Sequence, residues 1–321
     1  MIVDATRERA SRPVVALAPA EPGLQAQVKV RERLERPQVW GDVVQEGTLG
    51  PYGLELTLLP GSYLIVVDAG DGRFAELARD LERHETLEES LRLASVDEVR
   101  EGMVRVQSTR LETPLGIAPL PRGTVEVAPV WVDRACVTNG EYADFLAATG
   151  REAPPRWPED PSPGSPDLPS PGWRELPVTA VTHGEARAYA EWAGKRLPTA
   201  WELLAAFGAD DPAWLEQALQ EDPSPFALGG EQLLPDPEGE PSSLLAYLAW
   251  VRPARGPQER PFGPYGLLHP VDNVFQLTET PGWEFGAGQS DSDPDPRPIS
   301  RLQVGNPWHW DLFILRTRGL S

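Results

Sequence analysis

Sulfur is scarce in this chain: its 321 residues include one cysteine, Cys136, and two methionines. One thiol cannot close an intrachain disulfide or build a cysteine-rich metal site. Positive charge is short as well. Lys and Arg total 29 against 49 Asp and Glu, a formal net charge of -20, and a surface of that sign repels a phosphate backbone. Nucleic acid is therefore not an expected partner. The carboxylates are scattered, not gathered in a tail, so the acidity serves solubility. No run approaches the ~18 apolar residues of a membrane helix, and no membrane insertion is expected. The opening MIVDATRERASRPVV lacks the apolar stretch of a secretory leader, so the expected location is the cytoplasm. The four histidines are His84, His183, His269 and His309. None has the i, i+4 spacing that turns two imidazoles of one helix toward a metal.

Turn formers are plentiful: 36 Pro and 29 Gly predict many turns and long irregular stretches, not a helical bundle. The length suits two domains. Residues 1–24 read as an N-terminal arm or a single strand. Residues 25–97 read as a small β-sandwich. VKVRERL alternates apolar and polar from Val28, and LELTLLPGSYLIVVDAG reads as strand, Pro60-Gly61 turn, strand, with Leu64 to Val67 buried. ETLEESLRLAS leaves strand and helix both open. The LPGSYLIVV run resembles the PEGA-type β-domains of bacterial surface and kinase-linked proteins.

Residues 98–321 form the second expected domain, and three of its segments are informative. In VWVDRACVTNGEYADFLAATG, a strand over Val130 to Val132 leads to a helix capped by Thr138, with Glu141 at capping-box spacing and Gly150 as the stop. In LPVTAVTHGEARAYAEWAGKRLPTAWELLAAFG, a strand over Val178 to Val181 precedes a helix from Thr182 or His183 that ends at Gly194. The RLPT crossing then leads to a second helix with Thr199 and Glu202 at the same spacing. In FGPYGLLHPVDNVFQLTET, Gly266 turns the chain and NVFQLTE reads as a strand. Two long irregular stretches, 154–174 and 209–262, are of the kind that in a compact domain either carries function or is disordered.

These three segments, in this order, resemble the formylglycine-generating-enzyme, or sulfatase-modifying-factor, family. The resemblance implies an α+β fold, an irregular C-type-lectin-like domain, here preceded by the small all-β sandwich. It also implies a C-terminal cysteine pair that binds copper and activates oxygen. Soft Cu(I) selects sulfur, yet no cysteine follows Trp283. Copper is therefore not an expected cofactor, and the chain is expected to be no enzyme but a degenerate, noncatalytic member. The family's calcium site falls on Asn273, Val274 and Gln276, with His269 where an acidic residue is common. Gln276 replaces a Glu, and a hard cation prefers anionic oxygen, so no metal is expected there. Related ergothioneine-type enzymes join this fold to a helical iron domain with a multi-histidine motif that this chain lacks.

The expected binding face lies around Trp283 and in NPWHWDLFILRTRG, where Trp308 and Trp310 fall on one side of a strand and His309 and Asp311 on the other. Aromatic anchors among a few polar groups suit a protein or peptide ligand. The fold also serves the variable proteins of diversity-generating retroelements and inactive copies beside bacterial signalling proteins. Two rival readings stand beside this one. One is an enzyme of unknown chemistry that pairs His309 with Asp311, or His269 with Asp272. The other is a structural assembly subunit. Cys136 and His183 read as a small buried residue and a capping or surface group. Trp192 and Trp201 read as packing.

Overall fold

The computed structural model describes residues 12–34, 39–113, 123–154, 173–211, 254–255, 261–268, 273–274, 276–281, 301–304 and 316–318. The chain divides into two compact units: Met1–Glu101 with Ala190–Arg196, and Gly102–Tyr189 with Leu197–Ser321. Among the described residues, no helix is long and apolar enough to cross a membrane.

The first unit is a pair of sheets over one core. The smaller sheet places β1 (Val14–Pro19) between antiparallel β4 (Leu54–Thr57) and parallel β7 (Thr86–Leu91). The segment read as an arm or a single strand thus contributes the central strand of this sheet, and the ambiguous ETLEES run is extended. The larger sheet runs β3 (Trp40–Leu49), β2 (Ala26–Arg33), β5 (Gly61–Asp68), β6 (Arg73–Leu81), β8 (Ala94–Ser95). Alternate residues of β2 turn inward, as the period of two requires. Val15 and Leu17 of the small sheet pack in one cluster with Val28, Val30, Ile65 and Val67 of the large one. Each such side chain contributes about 1.5–3 kcal/mol on burial. A short helix, α1 (Val96–Arg100), follows β8.

Charge is ordered on this unit too. The Arg79 guanidinium pairs with Glu89 and with Glu191, and Arg196 reaches Glu76 at 2.9 Å. Burial opposes the charge on Arg79. The hydrogen bonds to Glu89 and Glu191 outweigh it and hold the guanidinium above its usual range. Gly194 cannot be replaced cheaply here. Its φ is +72°, and an added Cβ would collide with the Ala94 side chain.

The second unit is irregular and mixed. Its strands pair β9 (Met103–Val106) with β12 (Val130–Asp133), β10 (Thr109–Thr113) with β11 (Gly123–Val127), and β13 (Pro261–Phe262) with β14 (Leu267–Leu268). A three-stranded antiparallel sheet joins β15 (Gln276–Pro281), β16 (Arg301–Val304) and β17 (Arg316–Arg318). The helices are α2 (Asn139–Thr149), α3 (His183–Trp192) and α4 (Ala200–Ala206). The chain is thus α+β in class, as its sequence implies.

The helix starts follow local chemistry. Thr138 and Glu141 form a full reciprocal capping box, and so do Thr199 and Glu202. Gly150 closes α2 in the left-handed conformation. Tyr142 and Phe145 bury one face of α2 at 5.2 Å between ring centroids, and Tyr189 stacks on Tyr142 at 5.6 Å. The strand expected over Val178 to Val181 does not form. Only Pro177 bridges Thr138, and Ala180 adopts φ 59°, which ends extended pairing.

Candidate functional site

The best-defined polar site of the second unit lies where α3 meets β15. Thr182 and Glu185 cap α3 reciprocally, since Glu185 N donates to Thr182 Oγ1 at 3.2 Å and Thr182 N to Glu185 Oε2 at 2.6 Å. That fixes the first turn and puts His183 and Arg187 four residues apart on one face. Both side chains approach Glu279 of β15, whose side chain is 1% exposed. Arg187 Nε donates to Glu279 Oε1 at 3.0 Å and its Nη2 to Oε2 at 2.7 Å. His183 Nε2 lies 3.7 Å from Glu279 Oε2, and the His183 side chain is 8% exposed. A buried carboxylate is tolerable only when held by charge-assisted bonds of this sort.

β15 is tied down along its length. Glu279 N donates to Pro198 O at 2.8 Å, within the RLPT crossing, and Ala200 N donates to Thr280 Oγ1 at 2.9 Å. The side chains of Thr278 and Thr280 are fully enclosed. The crossing and the strand are therefore one frame, with the acidic group at its centre.

A second polar cluster lies at the start of β15. Gln276 Nε2 donates to Val274 O at 3.1 Å and to Cys136 Sγ at 3.2 Å. Asn273 and Val274 beside it are buried, and Cys136 packs on the Ala135, Ala254 and Leu268 cluster. Cys136 is half-buried and not disulfide-bonded. Its sulfur accepts from a neutral amide, and a copper ion held by a pair of thiolates needs two thiols where this chain has one. The residues present do not fit that ion. Among the described residues, no group of three or more His, Cys, Asp or Glu side chains could hold a metal.

The tyrosines under α2 are held neutral. Burial, then the charge of Glu185, pushes the Tyr142 hydroxyl up to about 12. Burial, then Glu141 and Asp133, raises Tyr189 as well. These rings act as packing within the frame.

Several expected positions are now located. Trp201 is 1% exposed, as a packing residue should be. His183 is not a surface group: it is enclosed beside Glu279. The proposed binding residues Trp283, Trp308, His309, Trp310 and Asp311 lie outside the described residues, as do His269 and Asp272. The sequence reading missed Glu279 and Arg187. A signal was present: Glu279 interrupts a strand whose neighbours, Thr278 and Thr280, have no net charge.

Comparison with known proteins places this frame. The family described as sulfatase-modifying factor enzyme 1-like domain matches residues 87–236. A formylglycine-generating enzyme of Mycobacterium tuberculosis is 30% identical, over 56% of this chain and 71% of its own length. A hercynine oxygenase of Mycolicibacterium thermoresistibile is 32% identical, over 61% of this chain and 48% of its own length. A formylglycine-generating enzyme of Thermomonospora curvata is also 32% identical, over 28% of this chain and 41% of its own length. The chain thus spans less than half of two of these relatives. All three are named as enzymes, and this corrects the expectation that the chain is not an enzyme. A missing thiol pair removes one ligand set for one soft ion. It does not remove acid, base or binding groups from the scaffold.

Proposed function

Because the chain belongs to the sulfatase-modifying-factor, or formylglycine-generating-enzyme, family, we propose that it is an enzyme that binds a peptide or protein substrate and transforms it without copper–thiolate chemistry. The observation that carries this reading is the pairing of kinship to named enzymes with a sequence holding a single cysteine. Trp283, Trp308 and Trp310 are the proposed anchors. Aromatic side chains supply large contact areas at small entropic cost. His309 and Asp311 are the proposed acid–base groups. An imidazole is the side chain best suited to move protons near neutral pH.

A second reading rests on the extent of the match to the hercynine oxygenase, which covers more of this chain than either formylglycine-generating enzyme does. In that reading the substrate is hercynine or a similar small betaine, and the chain supplies its binding scaffold. The four histidines of this chain lack the paired helical spacing that sets two imidazoles of one helix on an iron ion.

Capture from a lysate of the native host separates these ideas. Wild type and a Trp308→Ala, His309→Ala, Trp310→Ala variant would be compared, and captured peptides weighed before and after incubation. The proposal expects retention by the wild type alone, and a mass change that His309→Ala or Asp311→Asn abolishes in a folded protein. Equal capture by both proteins would remove the proposed face. Oxygen uptake with copper and a cysteine-containing peptide should stay at background. Turnover there would overturn the thiol-free chemistry.

A further inference from the structure

The contacts of Gln276 describe a place where a cation's work is done by an amide. Gln276 Nε2 carries two hydrogens and meets two acceptors, Val274 O at 3.1 Å and Cys136 Sγ at 3.2 Å. The orientation of the side chain follows from its partners. A backbone carbonyl only accepts, so the nitrogen end of the carboxamide must face Val274. Each hydrogen has an acceptor, and each acceptor is served without an ion.

A carboxylate in the same place behaves oppositely. It has no hydrogen to offer, so its oxygen would face the Val274 carbonyl oxygen at close range. Two partial negative charges at that distance repel unless a positive charge lies between them. A divalent cation with oxygen ligands is one such charge, and backbone carbonyls plus an anionic carboxylate are the ligands it prefers. The glutamine and the glutamate are thus alternative solutions of one electrostatic problem. The first needs no metal and the second does.

We propose that the Gln276 carboxamide, with Cys136 as its second acceptor, takes the place of the divalent cation that a glutamate at this position would require. The turn before β15 is then held by direct hydrogen bonds, and its stability does not depend on calcium. Cys136 has a defined part in this arrangement. Its sulfur is a weak neutral acceptor that receives the amide's second N–H, which a cation would not need.

The test uses the full chain and thermal unfolding in millimolar calcium against a chelator. Wild type should melt at the same temperature in both. Gln276→Glu should lose stability in chelator and recover in calcium, with a difference of about 2–4 °C or more. Gln276→Met keeps the volume and removes both donors. It should melt lower than wild type by a similar amount, equally in calcium and chelator. A calcium-dependent shift in wild type would overturn the proposal, and so would a folded Gln276→Glu variant that ignores calcium. If Gln276→Glu does not fold, Gln276→Met decides: a melting temperature equal to wild type would show that the amide holds nothing.

Discussion

The Arg187–Glu279 pair offers the sharpest test of the frame, because its two ends differ in burial. Glu279 is 1% exposed and Arg187 is 23% exposed, with Nη2 and Oε2 at 2.7 Å. Charge centres about 4 Å apart attract by about 4 kcal/mol at an effective dielectric of about 20. Much of that offsets desolvation, so the net worth of the pair is small. Breaking it is another matter. Arg187→Met takes the bidentate partner from an enclosed carboxylate and should cost about 3–5 kcal/mol. Glu279→Gln leaves a guanidinium that can turn toward water, and should cost about 1–3 kcal/mol. The double change Arg187→Met, Glu279→Leu removes both charges and should be less damaging than Arg187→Met alone.

Chemical and thermal unfolding of the full chain would check the order. Arg187→Met should lower the melting temperature by about 6–20 °C, at about 2–4 °C per kcal/mol. Its deficit should shrink as the pH falls and the stranded carboxylate takes up a proton. If Arg187→Met stays within about 1 kcal/mol of wild type, or the double variant is no more stable than Arg187→Met alone, the buried-carboxylate reasoning fails.

Other predictions are local. Thr199→Ala deletes a fully enclosed N-cap and should cost about 1–2 kcal/mol, read by denaturant unfolding, whereas Thr199→Ser should cost little. Ala180→Gly should stabilise by up to about 1 kcal/mol, because Ala180 has φ 59° and glycine takes that conformation without strain. The Tyr142 hydroxyl, at about 12 against an ordinary 10.0, is raised in the folded state. Its contribution to stability is complete below the ordinary value and is lost as the pH climbs from there toward the folded one. Tyr142→Phe should therefore remove part of the alkaline destabilisation seen by circular dichroism, and identical alkaline profiles would refute the assignment.

What the sequence made legible was local. Thr138 with Glu141 and Thr199 with Glu202 could be read from spacing alone, because a capping box closes within four residues. Gly150 and Gly194 were readable for the same reason, since both end a helix at positive φ. The buried run of β5 followed from apolar content, whereas the turn read at Pro60-Gly61 is a bend at Pro60 alone, with Gly61 already in β5 and β4 and β5 in different sheets. The illegible parts are those whose partners are far apart. Arg187 and Glu279 are separated by 92 residues, and no spacing rule links them. The parallel pairing of β1 with β7 joins Val14 to Thr86, across most of the first unit. The missed strand over Val178 to Val181 failed for a conformational reason: apolar alternation there is overridden by Ala180, which turns the chain ahead of α3.

The single thiol constrains chemistry more than the fold does. Cys136 is half-buried and accepts from Gln276, so its sulfur is already engaged within the scaffold. Polar protein side chains that remain for chemistry carry nitrogen and oxygen. Such groups move protons and polarise bonds; they do not hold Cu(I) in a two-sulfur site. The same substitution of neutral for ionic contacts recurs at Gln276, where an amide serves acceptors that a cation would otherwise serve. At Glu279 the opposite holds, and a full charge is kept under cover by Arg187. A buried carboxylate is costly unless its partners stay in place. Perturbing Glu279 should therefore destabilise the α3–β15 frame, whereas perturbing Cys136 should alter the turn at Gln276 and leave that frame standing.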